Sequence, residues 1–349
     1  MNIIPLHESS WRRLQEWRAT LPHALLFSGP RGLGKVSLAT TFAAGLFCEA
    51  PRPDGLACGK CLACRWFEQG NHPDFRLLMP ESLRQREEGS EGGSNKSGKE
   101  GKSNRSGQEI TIDQVRALDD FFAVGTHRQG LRIILAHPAE KLNRNAANAL
   151  LKILEEPPPS TLFLLVSSET MLLLPTLRSR CQNLPIPVPK PTLAAQFLRD
   201  AGVVEAENWL ALAGGAPGLA QQLAEKSGAF WMEDLVRALA GGRHLEVLAS
   251  AAALEKTLKA VKGENPLPQL IDWAQKWLID LNLAAQGMPI RFYLQQRAKI
   301  ATLAQESQPI RLARFYRQLL QWRRESEHPL NIRLFLEQFF FGYRALFTE

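Results

Sequence analysis

The sequence contains 349 residues, of which 45% are hydrophobic, and its formal net charge is +7. This length exceeds one ordinary domain and the hydrophobic content can supply real cores, while the charge permits a polyanionic partner such as DNA without requiring one. No run of about 18 uncharged apolar residues occurs, so we expect no membrane span. The N-terminus lacks an apolar signal core, and we expect a cytoplasmic protein.

Three apolar segments that alternate with helical patterns predict a parallel sheet in the first half of the chain. Residues 23–28, 131–136 and 162–166 have the composition of buried strands, and the helical patterns cover residues 36–47 and 143–156. Strands that alternate with helices are typical of a mostly parallel, three-layer α/β sheet.

Two further segments of the first half carry weaker signals. Residues 110–113 predict a short strand or turn, with Asp113 as the cap of the helix that follows. Residues 81–108 hold many Gly, Ser and charged residues and one aliphatic residue, Leu83. Such a segment cannot bury enough apolar surface to offset its ordering entropy, so we predict a disordered surface insertion.

The strand pattern ends at the segment Pro189-Lys190-Pro191, and helical periodicity continues from there to the C-terminus. Glycine- and proline-containing breaks divide this half into short and long helical stretches. The pattern predicts an all-α region, a small bundle followed by a larger one.

A glycine-rich turn follows the first predicted strand and leads into a helix. Gly29, Gly34 and Lys35 match the spacing of a phosphate loop, in which backbone N–H groups and the lysine bind phosphates. The next residue should be Ser or Thr, whose hydroxyl holds Mg²⁺, but it is Val36. Ser37 comes one residue late, and on a helix that slip rotates a side chain by about 100°. We predict a phosphate loop without productive Mg-nucleotide binding.

The second buried strand should end in the acidic residues that hold Mg²⁺ and activate water in a hydrolytic site. His137 and Pro138 occupy those positions instead. Imidazole is a poor ligand for Mg²⁺, and proline cannot act as a base. Glu140 lies about one turn further on and is expected at the surface. The sequence therefore predicts no ATPase activity from this chain alone.

Four of the five cysteines lie close together in the sequence. Cys48, Cys58, Cys61 and Cys64 have the clustering and short spacings of thiolates that converge on one Zn²⁺ ion, and Gly59 permits the tight turn between them. Four ligands leave no open position, so the predicted site is structural; the alternative is four reduced thiols packed as small apolar residues. The fifth cysteine, Cys181, is expected to be a buried packing residue.

Arg180 lies in the segment Leu177-Arg178-Ser179-Arg180-Cys181, after the last helix of the α/β half. A guanidinium group can neutralise charge on a transferring phosphoryl group, often from a neighbouring subunit. Taken alone, however, a surface salt bridge is the simpler interpretation of this residue.

Several motifs in combination resemble the subunits of bacterial sliding-clamp loaders, members of the AAA+ superfamily. They are the segment before the glycine loop, the cysteine cluster, Asn71-His72-Pro73-Asp74-Phe75, the helix Ala146 to Glu156 with Pro157-Pro158, and Ser179-Arg180-Cys181. The resemblance is strong over about residues 9–220. Because the nucleotide site is degenerate, the chain is most similar to the delta-prime branch of DNA polymerase III subunits.

The resemblance implies three domains and a place in a larger assembly. They are an AAA+ module over residues 1–188 with a zinc knuckle at 48–64, a three-helix lid over 189–228 and a helical collar over 229–349. The family implies a hetero-pentamer with motor (gamma/tau) and delta subunits, which loads the β sliding clamp onto primed DNA within the polymerase III holoenzyme. The insertion at residues 81–108 departs from the family pattern.

The resemblance also assigns roles to particular residues. Arg180 becomes a trans-acting arginine finger that reaches the ATP of a neighbouring subunit. The degenerate nucleotide site, Gly29, Gly32, Gly34 and Lys35, becomes inherited architecture. Ser167-Ser168 falls in the region of the first nucleotide sensor, and residues 214–218 in the region of the second.

Two other functions remain compatible with the sequence. The chain could be an active motor-type clamp-loader ATPase, which would have to bind metal and nucleotide despite Val36 and His137. It could also be a zinc-containing nucleic-acid-binding protein unrelated to replication, which the modest charge disfavours.

Overall fold

The computed structural model describes residues 4–85, 105–124, 126, 130–225, 230–260, 265–326 and 330–347. The chain folds as two compact units, Met1–Pro189 and Lys190–Glu349. Within the described ranges no helix has the length and apolarity needed to cross a membrane. Most of the insertion predicted to be disordered, residues 86–104, lies outside the described residues.

The first unit is built on a five-stranded sheet in which every pairing is parallel. The strand order is β2-β3-β4-β1-β5, so β4 lies between the first and third strands. The strands are β1 (Ala24–Ser28), β2 (Phe75–Leu78), β3 (Arg132–Ala136), β4 (Thr161–Ser167) and β5 (Gln182–Pro185). The predicted parallel α/β sheet is confirmed.

Residues 81–85, at the start of the insertion predicted to be disordered, are helical. Six further α-helices accompany the sheet among the described residues of this unit. They are α1 (Glu8–Trp17), α2 (Lys35–Phe47), α3 (Leu62–Glu68), α4 (Ile112–Ala123), α5 (Arg144–Glu155) and α6 (Pro175–Ser179). The predicted cap of α4 is wrong: the N-cap is Thr111, whose N–H donates to Gln114 Oε1 at 3.1 Å. Ile110 forms only an isolated parallel bridge with Leu142.

The register of the central strands determines which residues meet at the edge of the sheet. Every residue of β1, β3 and β4 is buried, which explains why their sequences are apolar except at the strand ends. Ser28 at the end of β1 pairs with Ser167 at the end of β4. The segments that follow the carboxyl ends of β1, β3 and β4 therefore converge, as is usual for ligand sites of open parallel sheets.

The described residues of the second unit form helices and connecting segments with no strand, which confirms the all-α prediction. Its helices are α7 (Pro191–Asp200), α8 (Ala206–Leu212), α9 (Pro217–Glu225), α10 (Phe230–Ala240), α11 (Val247–Ala260), α12 (Leu267–Ala285), α13 (Arg297–Glu306), α14 (Pro309–Glu325) and α15 (Ile332–Arg344). Trp277 Nε1 donates to Tyr343 Oη at 2.9 Å, and that hydroxyl donates to the carbonyl of Leu239 at 2.7 Å. The division into lid and collar at residues 228 and 229 stays a prediction.

One buried carboxylate organises the segment that follows α12. Asp280 is 0% exposed. Its oxygens accept hydrogen bonds from the backbone N–H groups of Arg291, Phe292 and Tyr293 at 2.7–3.3 Å. The Tyr293 hydroxyl donates in turn to the carbonyl of Trp273 at 2.9 Å. This network joins the non-helical segment between α12 and α13 to the middle of α12.

Candidate functional site

The glycine loop between β1 and α2 has the backbone shape that its sequence predicts. Gly29, Gly32 and Gly34 have φ angles of 147°, 76° and 76°, a region that side-chain-bearing residues rarely adopt. A Cβ atom at Gly29 would lie 2.5 Å from the carbonyl oxygen of Ile186. Gly34 is the N-cap of α2, which begins at Lys35. The loop thus needs its glycines both for conformation and for close packing.

The loop lysine is engaged by its own loop. Lys35 Nζ donates to the carbonyls of Gly29 at 2.8 Å and Pro30 at 2.6 Å, and to Ser168 Oγ at 3.0 Å. An ammonium group has three N–H donors, and here all three have acceptors within the protein. Burial lowers the pKa of Lys35 to about 8, although the carboxylate of Glu140 opposes that shift.

The position after the lysine offers no metal ligand. Val36 is half-buried and Ser37 is exposed, at the first turn of α2. A valine side chain has no oxygen, and the serine hydroxyl lies on a different face of the helix. The first turn of α2 therefore lacks a hydroxyl ligand for Mg²⁺, as the sequence indicates.

The end of β3 carries a neutral imidazole where a hydrolytic site needs a carboxylate. Burial lowers the pKa of His137; the carboxylate of Glu140 opposes that shift, and Lys35 adds to it. Among the described residues, the buried Nδ1 of His137 has no hydrogen-bond partner. Neutral imidazole and the adjacent Pro138 offer no hard oxygen to Mg²⁺.

The prediction that Glu140 is a surface residue is wrong. Glu140 lies in a short 3₁₀ helix after β3 and is half-buried. Its Oε1 accepts a hydrogen bond from the N–H of Ser168 at 3.1 Å, and its buried Oε2 has no partner among the described residues. Ser168 thus links Glu140 to Lys35 by contacts that span 28 and 133 residues. Sequence reasoning placed Ser168 in a sensor region but missed both contacts.

The four clustered cysteines converge as their spacing predicts. Their sulfur atoms all lie within 4.8 Å of one another. The separations are 4.0 Å for Cys48–Cys61, 3.9 Å for Cys58–Cys64 and 3.3 Å for Cys61–Cys64. Four sulfurs at about 2.3 Å from a central Zn²⁺ would be roughly 3.8 Å apart. The donor set therefore fits one tetrahedral metal ion.

The backbone around the cluster is arranged to hold the sulfurs in place. Cys48 follows α2 directly, and Cys61 is the N-cap of α3, with its sulfur accepting from the N–H of Cys64 at 3.4 Å. The sulfur of Cys58 accepts from the N–H groups of Lys60 and Cys61, both at 3.4 Å. Gly59 has a φ of 70°, which permits the tight turn.

Cys181 is a packing residue, as predicted. It is buried beside β5, and its sulfur donates to the carbonyl of Leu177 at 3.3 Å. Burial raises the pKa of this thiol to about 12, which keeps it in the unreactive protonated form.

Arg180 lies immediately after α6 and is held by two acceptors. Its Nη1 donates to the carbonyl of Thr176 at 3.1 Å, and its Nη2 donates to Glu155 Oε1 at 2.7 Å. The Arg180 and Glu155 side chains are 36% and 46% exposed. The surface salt bridge expected from the sequence alone is present, and the guanidinium remains accessible from outside.

The glycine loop after the first strand, in a parallel sheet of this strand order, defines a P-loop-type α/β module of the AAA+ class. The family described as "DNA polymerase III, delta subunit" matches residues 8–190. The DNA polymerase III subunit delta' of Pseudomonas aeruginosa is 35% identical over 285 residues, 80% of this chain and 77% of that protein. The chain therefore belongs to the delta-prime family of DNA polymerase III subunits.

A second relative and a solved structure are also similar to this chain. The DNA polymerase III subunit delta' of Haemophilus influenzae is 32% identical over 183 residues, which is 52% of this chain and 48% of that protein. The solved structure of a DNA polymerase III gamma-subunit-related protein from Thermotoga maritima aligns with 98% of this chain and 99% of its own. Its identity is 16% and its TM-score is 0.44.

Proposed function

We propose that this chain is a delta-prime-type clamp-loader subunit that helps to load the β sliding clamp onto primed DNA without hydrolysing ATP itself. The observation that carries the proposal is the lack of an oxygen ligand for Mg²⁺ at Val36, after the loop, and at His137-Pro138, after β3. Beside these positions the Lys35 ammonium donates to its own loop and to Ser168. A motor-type ATPase would need that ammonium for phosphates and would need oxygen ligands for Mg²⁺ at Val36 and His137. The motor alternative is therefore disfavoured.

In this function the chain acts across a subunit boundary. Arg180 would reach the ATP of a neighbouring motor (gamma/tau) subunit and neutralise charge that develops on the transferring phosphoryl group. The partly exposed guanidinium at the end of α6 supports this role. The delta subunit would complete the hetero-pentamer, with residues 189–228 as the lid and residues 229–349 as the collar. The assembled complex would act on DNA in the cytoplasm.

The same proposal includes a structural zinc ion. Cys48, Cys58, Cys61 and Cys64 would hold it, since their sulfur separations fit a tetrahedral site and four thiolates leave no coordination position for a substrate. The ion would stabilise the segment between α2 and α3, which has few apolar side chains that could pack in a core.

Replacement of the finger provides the test of function. In a complex reconstituted with motor, delta, β clamp and primed DNA, we expect Arg180→Ala to lower hydrolysis at the adjoining site by about 10³-fold. Assembly should be unchanged, because Arg180 is a partly exposed side chain. Single-turnover ATP hydrolysis would measure the effect as a separate slow phase.

The matched control is Arg178→Ala, which removes an exposed arginine of α6 whose described contact is with Met171 Sδ at 3.5 Å. It should hydrolyse ATP and load clamps at the unmodified rate. Equal rates for Arg180→Ala and the unmodified complex would refute the finger role.

A further inference from the structure

Glu155 and Arg180 come from different elements and meet in a defined geometry. Glu155 is the last residue of α5, and the following Pro157-Pro158-Pro159 segment prevents the helix from continuing. This fixed helix end places the carboxylate 2.7 Å from Arg180 Nη2. The carbonyl of Thr176, one turn earlier in α6, takes the other terminal nitrogen at 3.1 Å.

The two contacts restrain the guanidinium and leave some of its N–H donors free for another acceptor. Arginine has five N–H donors in a rigid planar fork, and two of them are taken by Glu155 and Thr176. Three donors remain for an acceptor outside the chain. An unrestrained arginine at a surface would have to give up many rotamers at the moment it bound a phosphate, which would weaken the interaction.

We propose that Glu155 is a positioning residue that orients Arg180 for the phosphoryl group of the neighbouring subunit. This inference rests on the proposed finger role of Arg180. Glu155 acts only through the arginine, so its loss should affect the rate of hydrolysis and not the assembly of the complex. The adjacent Glu156 is exposed and forms no ion pair among the residues that the structure describes, so it offers a control of the same charge in the same motif.

The test compares three variants in the reconstituted complex by single-turnover ATP hydrolysis at the site next to Arg180. We expect Glu155→Ala to lower the maximal single-turnover rate constant about fivefold, the upper end of what an exposed ion pair contributes. The ATP concentration that gives half of the maximal rate should be unchanged. Glu155→Gln retains an oxygen that can accept from Nη2 but removes the negative charge, and it should recover about half of the loss. Glu156→Ala should have no effect, and the melting temperatures of all three should match that of the unmodified chain.

A double-mutant cycle separates this inference from the proposed function. In the Arg180→Ala background, Glu155→Ala should have no further effect, because the group that it orients is gone. If Glu155→Ala lowers the rate equally in both backgrounds, Glu155 acts elsewhere and the positioning role is overturned, while the finger role stands. A rise in rate with Glu155→Ala would show that the carboxylate competes with phosphate, which also overturns it. If Arg180→Ala itself changes nothing, the finger role fails.

Discussion

Lys35 occupies the lysine position of the phosphate loop and donates to protein acceptors there. Its charge is stabilised by two carbonyls, a hydroxyl and the field of Glu140, but burial still lowers its pKa to about 8. An unfolded chain would hold the same proton up to its ordinary pKa of about 10.4. The buried ammonium therefore costs stability wherever both states carry the proton, which is below pH 8.

This cost makes a pH-dependent prediction. Between about pH 8 and 10.4 the unfolded chain binds the proton and the folded chain does not, so the contribution of Lys35 to stability rises with pH. Relative to Lys35→Met, the free energy of unfolding of the unmodified chain should rise by on the order of 2 kcal/mol from pH 7.5 to 10. Urea denaturation at several pH values would measure this.

The same change at the exposed Lys152 of α5 supplies the control. A difference between the unmodified chain and Lys35→Met that does not vary with pH would contradict the buried, charged state described for Lys35.

At the scale of elements, Asp280 joins α12 to the segment that follows it. Removing its carboxylate would leave three backbone N–H groups without their acceptor, those of the exposed Arg291, the half-buried Phe292 and the buried Tyr293. We expect Asp280→Ala to lower the free energy of unfolding by about 3 kcal/mol.

Asp272 of the same helix is the matched control for this prediction. Its side chain is 49% exposed and pairs with Lys276, so Asp272→Ala should cost less than about 1 kcal/mol. Equal losses of stability for the two variants, measured by urea denaturation, would contradict the role given to the Asp280 network.

The elements also show where sequence reasoning succeeds. β1, β3 and β4 were predictable because burial on both faces demands unbroken apolar runs. β2 and β5 were missed, because the edge strands expose polar residues such as Arg76, Gln182 and Asn183, and only pairing with a neighbour makes them strands.

Within the candidate site, features set by local sequence were predictable and contacts between distant segments were not. The cysteine cluster follows from local spacing, since three of its ligands lie within seven residues. The contacts of Ser168 with Lys35 and Glu140 depend on the order of strands in the sheet, which no local pattern encodes. Glu140 was misplaced for this reason.

At the scale of the whole molecule, each compact unit contains its own buried cluster. One cluster combines sheet residues such as Leu26 and Phe163 with Leu150 of α5, and the other is built from residues such as Trp277 and Phe339 of the helical unit. The proposed metal site belongs to the first unit and Asp280 to the second. A substitution in one unit should therefore lower mainly the melting temperature of that unit.

Calorimetry can test this independence. We expect two thermal transitions, one for each unit. Removal of the metal by a chelator, or Cys58→Ser, should lower the melting temperature of the first unit by several degrees. Asp280→Ala should lower that of the second unit. Metal analysis of the untreated protein should give one zinc per chain. A single transition that shifts with every perturbation would contradict independent units, and a metal-free protein with unchanged melting would contradict the zinc site.

The burial of Cys181 has a practical consequence for measuring motion in the assembly. With the proposed zinc ion bound, all five cysteines of the chain would be protected from maleimide dyes, four by coordination and Cys181 by its burial and raised pKa. A cysteine introduced at an exposed surface site would be the sole attachment point for a fluorophore. Distances from this subunit to the DNA or to a neighbour could be followed during loading without first removing any native thiol.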